Sequence, residues 1–242
     1  MDFVTDLGLD DGLTAVVGAG GKKSTIYTVA DELDRAVVTT TVRIPFFDEH
    51  VATVLETDRP RDALESVTDW PVGLVPGYEE NRYLGYEPHV VDTITESQAP
   101  EAILVKADGA RNRDFKAPGE NEPRIPETAD RVLGIASVAA VGKPLDEEWV
   151  HRPERVAALT GLEPGDPIGV EDMATVLSSP RGTEKGVPES ATFLPVLNKV
   201  DDDTDLETAR EIADRVLESG RATQVALTHL LGPGEPLLEL RS

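Results

Sequence analysis

The sequence contains no cysteine, few aromatic residues and no long apolar run. The absence of cysteine excludes disulfides, zinc–thiolate sites, iron–sulfur clusters and thiol catalysis. No apolar run approaches the roughly 20 residues that a membrane-spanning helix needs. The first residues, 1–6, lack the basic stretch and apolar core of a signal peptide. We therefore expect a cytoplasmic protein.

Basic residues are also scarce, because 46 Asp and Glu face 23 Lys and Arg and the net charge is −23. Such a chain lacks the basic surface that binds nucleic acid or anionic membranes. The excess of carboxylates is typical of proteins in a salt-rich cytosol, where screening weakens self-repulsion; an acidic partner-binding face is the alternative. Lysine is rarer than arginine, so we expect functional roles for the remaining lysines: Lys22, Lys23, Lys106, Lys116, Lys143, Lys185 and Lys199.

Strand and helix patterns alternate along the 242 residues. Residues 13–17 predict a buried strand, 22–33 an amphipathic helix and 36–41 a second strand, which together form a βαβ unit with a parallel sheet. Further helices are predicted at 47–57, 62–67, 88–97, 153–162, 170–177 and 206–218, and further strands at 72–75, 102–105, 132–138, 191–197 and 223–227. The alternation favours a single three-layer α/β domain over 1–242, with an irregular loop at 110–128 and a helical segment at about 150–180.

A glycine-rich segment lies between the first strand and the first helix. It predicts a phosphate-binding loop, because glycines let backbone amides curl around an anion and the helix N-terminus adds positive potential. A glycine-rich turn that only packs the helix on the sheet is the alternative. The predicted binding residues are Gly18, Ala19, Gly20, Gly21, Lys22, Lys23, Ser24 and Thr25.

Two lysines compete for the phosphate-contacting role in this loop. The pattern G-x-x-x-x-G-K-[ST] is matched imperfectly, since Val16 stands where the first glycine is expected. Choosing Lys22 keeps the Gly21-Lys22 turn, and choosing Lys23 restores the Lys-Ser pair. We favour Lys22 as the residue that neutralises the phosphates.

Asp108 follows the apolar strand at 102–105, as the acidic residue of a Walker B segment does. It could therefore hold Mg²⁺ together with the Ser24 hydroxyl, and an Asp-Gly turn is the alternative. The expected ligands are thus Mg²⁺ and a nucleoside triphosphate, GTP or ATP.

Three cations follow Asp108 closely: Arg111, Arg113 and Lys116. We expect Arg111 and Lys116 to hold an anionic substrate or the charge of a transferred phosphoryl group. Pairing with nearby glutamates is the alternative.

A possible base-reading segment, Asn198-Lys199-Val200-Asp201, lies at the end of the strand predicted at 191–197. In GTP-binding proteins such an aspartate accepts hydrogen bonds from guanine, the lysine stem covers the ring, and the asparagine braces neighbouring loops. Adenine offers no matching donors, so Asp201 would select GTP. An acidic turn that caps the next helix is the alternative.

Taken together, the ordered motifs resemble the YqeC family of accessory proteins for selenium-dependent molybdenum hydroxylases. The resemblance covers roughly 13–229, and its motifs are Gly18–Lys22, Thr39–Thr41, Ala107–Ala110, Lys116–Pro118, Glu122–Pro123, Gly142–Leu145, His151–Pro153, Gly186–Pro188 and Asn198–Asp201. The acidic composition would suit a haloarchaeal member.

This resemblance implies a P-loop NTPase fold and a role in maturing a molybdenum hydroxylase or its cofactor. Two departures bear on the chemistry: Lys23 replaces the usual hydroxyl residue, and Lys106 stands where the family tends to carry an acid. We expect an Mg²⁺-dependent NTPase or phosphoryl or nucleotidyl transferase. The alternatives are a non-hydrolysing, nucleotide-dependent docking module and a small-molecule kinase.

Overall fold

The computed structural model describes residues 2–232 and 234–242. Its strands are β1 (Gly12–Gly18), β2 (Ala36–Thr40), β3 (Ile44–Pro45), β4 (Thr53–Glu56), β5 (Val72–Val75), β6 (Tyr78–Glu79), β7 (Arg82–Tyr83), β8 (Ala102–Lys106), β9 (Phe115–Lys116), β10 (Arg131–Ser137), β11 (Val150–His151), β12 (Thr192–Asn198), β13 (Val225–Thr228) and β14 (Leu237–Arg241). Its α-helices are α1 (Phe3–Asp6), α2 (Lys22–Glu32), α3 (Pro60–Ala63), α4 (Pro88–Asp92), α5 (Pro153–Thr160), α6 (Val170–Leu177) and α7 (Asp203–Glu218). Short 3₁₀ turns lie at Asp48–His50, Leu64–Ser66, Thr93–Glu96 and Val138–Ala140.

A nine-stranded sheet forms the centre of the molecule, in the order β14-β13-β12-β10-β1-β8-β2-β5-β4. Every neighbouring pair is parallel except β13 and β14. β1 therefore lies between β10 and β8, and its two ladders are buried in the middle of the sheet. The α/β fold with a mostly parallel sheet is confirmed.

Alternate residues of β1 pack on opposite faces of this sheet, as expected for a strand covered on both sides. Leu13 and Val17 join one apolar cluster, and Val16 joins another together with Ile26 and Val29 of α2. The remaining long helix, α7, packs against the other face through buried residues such as Ile212. Helices on both faces give the expected three layers.

The helix predicted at 47–57 is wrong. This segment forms one 3₁₀ turn, Asp48–His50, followed by the edge strand β4, which pairs in parallel with β5. The spacing of apolar residues over so short a segment fits both the helical period and the strand period. Pairing with β5 makes this segment a strand. β-Branched residues such as Thr53 and Val54 suit the strand.

Three further features lie outside the central sheet. The irregular loop at 110–128 contains the short strand β9, which pairs with β11. The helical segment predicted at about 150–180 consists of the two helices α5 and α6, close to the predicted bounds of 153–162 and 170–177. A small separate sheet of β3, β7 and β6 lies between β2 and α4 in the chain.

The carboxyl ends of β1, β2, β8 and β12 meet at one edge of the sheet. The chain leaves β1 toward β2 on one side and later crosses to β10 and β12 on the other, so the strand order reverses beside β1. Ligands of open α/β sheets bind in the crevice at such a point. No helix in the described part of the chain is both long and apolar enough to cross a bilayer.

Candidate functional site

The glycine loop joins β1 directly to α2, as its sequence predicts. Gly18, Gly20 and Gly21 have φ values of +93°, +84° and +145°. Glycine adopts this region of φ without the steric cost that a Cβ imposes. At Gly18 a Cβ would also lie 2.1 Å from the Ile135 carbonyl oxygen, so the loop passes too close to β10 for a side chain.

The loop amides fall into two groups. The Gly18 amide donates to Asp108 Oδ2 at 2.9 Å and the Ala19 amide to the Ile135 carbonyl at 2.8 Å, so both already have acceptors. The amides of residues 20–24 have no acceptor among the described residues. Helix N-termini present such amides to anions. The cup available to a ligand is therefore shorter than the predicted Gly18–Thr25, since Thr25 begins the helical hydrogen bonding to Gly21.

Asp108 lies beneath this loop and is surrounded by positive charge. Its side chain is 2% exposed, with Lys22 Nζ at 3.0 Å from Oδ1 and Lys116 Nζ at 2.8 Å from Oδ2. Burial alone would raise the pKa of Asp108, but the two ammonium groups and the Gly18 amide lower it below its usual value. The carboxylate is therefore ionised and holds the two lysines in place.

The predicted phosphate lysine, Lys22, is bonded within the loop. Its ammonium group also donates to the Gly18 carbonyl, and burial lowers its pKa despite the Asp108 charge. Lys23, the competing candidate, lines the same cavity as Lys22. Both lysines are thus available to one ligand, and the choice of Lys22 stays a prediction.

A third lysine, Lys106, reaches the same cluster from the last position of β8. Its Nζ donates to the Asp108 carbonyl at 2.7 Å, and its side chain is buried but lines the cavity. Burial and the neighbouring Lys22 charge lower the pKa of Lys106 to about 7. An anion placed here would favour its charged form.

Asp108 does not fit a direct Mg²⁺ ligand in this arrangement. Lys22, Lys116 and the Gly18 amide surround the carboxylate, whereas Mg²⁺ requires oxygen ligands free of competing cations. No group of three His, Asp or Glu suited to a metal occurs among the described residues. Ser24 does line the cavity, and its role as a metal ligand stays a prediction.

A cavity of about 760 Å³ opens above the loop. Its size lies within the range of small-molecule sites. Nine cations and two acids line it, although acids outnumber bases two to one in the chain. The cations are Lys22, Lys23, Arg43, Arg82, Lys106, Arg111, Arg113, Arg152 and Lys199, and the acids are Asp114 and Glu122. The cavity therefore has the electrostatic character of an anion site.

The base-reading segment lies at the end of β12, beside the glycine loop. Asn198 Nδ2 donates to the Gly20 carbonyl at 2.8 Å, and its Oδ1 accepts from the Thr228 hydroxyl at 3.1 Å. Asn198 thus ties the loop to the end of β13. Lys199 lines the cavity and pairs with Asp114.

Asp201 is exposed, and its Oδ1 lies 2.6 Å from His229 Nδ1. It does not cap α7: the neighbouring Asp202 does so, by accepting from the Asp205 amide. Asp201 is outside the set of residues that line the cavity. Its carboxylate is nevertheless accessible from solvent at the end of β12.

The structure separates the two residues expected to hold an anionic substrate. Arg111 is exposed and lines the cavity. Lys116 is buried, and its ammonium group donates to Asp108, to Glu122 at 2.9 Å and to the Gly109 carbonyl at 2.6 Å. With three acceptors for its three hydrogens, Lys116 holds the loop together and lies outside the cavity lining.

Glu122 and Arg152 belong to the site although the chemical motifs do not single them out. Arg152 pairs with Glu122 at 2.6 Å. Burial opposes ionisation of Glu122, but hydrogen bonds from Arg152 and Lys116 and their charges lower its pKa to about 2. Burial and the charges of Arg152 and Lys116 lower the pKa of His151 to about 4, so this imidazole is neutral at pH 7.

The sequence motifs do not include Arg43, which directly precedes β3, or Arg82, which lies in β7 of the small sheet. These two arginines belong to the site because the small sheet places them at the cavity. The scarcity of cations in the chain is the signal that points to them, because it holds for arginine as well as for lysine.

Comparison with known proteins agrees with the resemblance of the motifs. A family model described as "YqeC protein" matches residues 14–154. A protein of Escherichia coli (strain K12), named "Uncharacterized protein YqeC", is 29% identical over 205 residues, which cover 81% of this chain and 80% of that protein. The family match spans more than half of the chain and includes the glycine loop, Asp108 and Arg152. The chain belongs to the YqeC family.

Proposed function

We propose that this protein binds a nucleoside triphosphate, with the phosphates on the amides of residues 20–24. The observation that carries the proposal is a helix N-terminus whose amides have no acceptor among the described residues, on a cavity wall shared with Lys22, Lys23 and Lys106. Amides and helix potential suit a compact polyphosphate anion. By its family resemblance, the bound nucleotide would serve the maturation of a molybdenum hydroxylase or its cofactor.

Guanine is the base that the site suits best. Asn198 hydrogen-bonds the Gly20 carbonyl and the Thr228 hydroxyl. It thereby connects neighbouring loops, as expected for the asparagine of this motif. Lys199 lines the cavity next to the loop, so its stem could cover a purine ring. Asp201 would leave His229 to accept the two donors of guanine, and adenine would leave that carboxylate unpaired.

The lysines would supply most of the positive charge that the phosphates need. Lys22 would exchange its bond to the Gly18 carbonyl for a phosphate oxygen, while Asp108 keeps its ammonium group in position. Lys106 and Lys23 would face the same anion from neighbouring walls. This arrangement binds and orients the phosphates without a metal ion on Asp108.

A non-hydrolysing docking module is the second candidate, because neither carboxylate that lines the cavity is free to act as a general base. Its two acids are Glu122, whose pKa is lowered to about 2, and Asp114, which pairs with Lys199. Neither fits a group that takes a proton from water near pH 7. Nucleotide occupancy rather than turnover would then control a partner.

Titration calorimetry with GTP and ATP, in molar KCl with and without Mg²⁺, tests the proposal. We expect saturable binding, tighter for GTP, that Lys22→Gln weakens at least tenfold. Lys143→Gln is the matched control, since Lys143 lies over the Trp149 ring and outside the cavity lining. Absence of binding to the unmodified protein would reject the proposal.

Two further measurements test the preference for guanine and the hydrolysis of the bound nucleotide. Asp201→Asn should reduce the preference for GTP over ATP, and an unmodified protein that prefers ATP would contradict the guanine assignment. Phosphate release from bound GTP distinguishes the candidates: steady turnover supports the enzyme, and tight binding without release supports the docking module.

A further inference from the structure

Arginines without an acidic partner are the exception in this protein. Of the 16 arginines, 11 form ion pairs with Asp or Glu. The others among the described residues are Arg59, Arg82, Arg111, Arg113 and Arg181. Three of these five, Arg82, Arg111 and Arg113, line the cavity. With two acids for each base in the chain, three guanidinium groups at one cavity that lack an acidic partner among the described residues point to an external anion.

Local backbone geometry keeps Arg111 at this cavity. Arg111 and Asn112 have φ values of +49° and +59°, and both line the cavity. A non-glycine residue in this region of φ carries steric strain, and strain of this kind concentrates at functional sites. Arg113 is anchored to the same segment, because its Nε donates to the Glu147 carbonyl.

These arginines belong to elements other than the phosphate loop. Arg82 comes from β7 in the small sheet, and Arg111 and Arg113 follow β8. The phosphate loop presents its own cations, Lys22 and Lys23, to a nucleotide. The volume of about 760 Å³ leaves room for a second small molecule beside a nucleotide.

We infer that Arg82, Arg111 and Arg113 form a second anion subsite, which takes the phosphate group of a phosphorylated small-molecule substrate. Guanidinium forks match the oxygens of a phosphate monoester. The inference rests on the proposed function, in which the nucleotide fills the phosphate-loop side of the same cavity. Free inorganic phosphate offers the same group, and the test distinguishes the two.

The test titrates GDP-saturated protein with glycerol 3-phosphate, inorganic phosphate and glycerol at constant KCl. We expect saturable binding of glycerol 3-phosphate, weaker binding of inorganic phosphate and none of glycerol. Arg82→Gln and Arg113→Gln should each weaken glycerol 3-phosphate at least fivefold and leave GDP affinity unchanged. Arg181→Gln is the matched control, since Arg181 is also exposed and without an acidic partner but lies outside the cavity lining.

Three results would overturn the subsite: no saturable binding of glycerol 3-phosphate, an equal loss in Arg181→Gln, or a loss of GDP affinity in the cavity variants, which would assign the arginines to the nucleotide. Inorganic phosphate binding as tightly as the ester would reject a phosphorylated substrate. Failure of GDP itself to bind rejects the proposed function instead. The subsite would then be supported if the nucleotide-free protein binds glycerol 3-phosphate, and if the cavity variants, but not the Arg181 control, weaken that binding.

Discussion

At the residue scale, Asp108 has the most partners in the site. One buried carboxylate faces Lys22 and Lys116 and accepts the Gly18 amide, and its own carbonyl holds Lys106. Removing one partner of a buried pair leaves the other charges uncompensated, which is costly in a medium of low polarity. Asp108 therefore holds the base of the glycine loop, whose other side is held by Asn198.

Asp108→Asn should reduce the free energy of unfolding by about 3 to 5 kcal/mol. The amide keeps the shape of the side chain but leaves the buried Lys22 without its counter-charge and Lys116 with Glu122 alone. Urea unfolding in molar KCl measures the change. Asp11→Asn is the control, because Asp11 is 76% exposed in its pair with Arg131 and should leave the midpoint unchanged. An equal effect of the two substitutions would contradict the assigned role of Asp108.

Lys106 should make GTP binding dependent on pH. Its pKa of about 7 means that its positive charge is present below pH 7 and lost above it. GTP affinity should therefore fall between pH 6 and pH 8.5, by about tenfold for one charged contact. Burial is the main cause of this lowered pKa, and the charges of Lys22, Asp108, Lys116 and Glu122 act on it as well.

Lys106→Met separates this effect from titration of the ligand. The terminal phosphate of GTP titrates near pH 6 with either protein, so only the difference between the two pH profiles reports Lys106. The variant should bind more weakly at pH 6 and approach the unmodified protein at pH 8.5. Parallel profiles would exclude a phosphate contact by Lys106.

Part of the candidate site could be predicted from the sequence, residue by residue. Lys22 and Asp108 come shortly after a strand and Asn198 ends one, so their place at one sheet edge could be predicted. The ion pairs of Lys116 with Asp108 and Glu122 could not be predicted, because they depend on the path of an irregular loop. The type of a residue indicates its chemistry, but the path of the loop decides whether its side chain lines the cavity.

At the element scale, the unit of β1, the glycine loop and α2 defines the site. β1 is paired on both sides, so the loop begins from a fixed point. This unit was predictable from local pattern. β4 was not, since its residues fit a helix equally well until β5 is placed beside them. The small sheet of β3, β7 and β6, whose two-residue strands carry no period, was missed for the same reason.

Gly18→Ala and Gly165→Ala form a matched pair that tests the close approach of the loop to β10. Both glycines have φ of +93°, but a Cβ at Gly165 meets nothing within 4 Å, whereas at Gly18 it lies 2.1 Å from the Ile135 carbonyl. Gly165→Ala should cost about 1 kcal/mol from backbone strain alone. Gly18→Ala should cost about 1 to 3 kcal/mol more. Chemical denaturation of both variants measures the difference, and equal losses would contradict the packing described for the loop.

At the scale of the whole molecule, charge is distributed very unevenly. The net charge is −23, yet the cavity lining carries nine cations against two acids. The acidic surface repels itself and also repels anions that approach from solution. Screening by salt reduces both effects, with a range of about 10 Å at 0.1 M and 3 Å at 1 M.

The stability of the folded chain should therefore rise with KCl, most steeply below about 1 M, where the screening length changes most. Thermal unfolding between 0.1 and 2 M KCl measures this. A protein that is most stable in dilute buffer would contradict the adaptation to salt inferred from its composition.

The position of the bound phosphates tests the central proposal most directly. Amide ¹H–¹⁵N spectra with and without GTP report it, because an amide that donates to a phosphate shifts strongly. We predict large shifts for Gly20, Gly21 and Ser24 and none for Gly165, which lies in an exposed turn. GTP that leaves the amides of residues 20–24 unshifted would contradict a phosphate site at the start of α2.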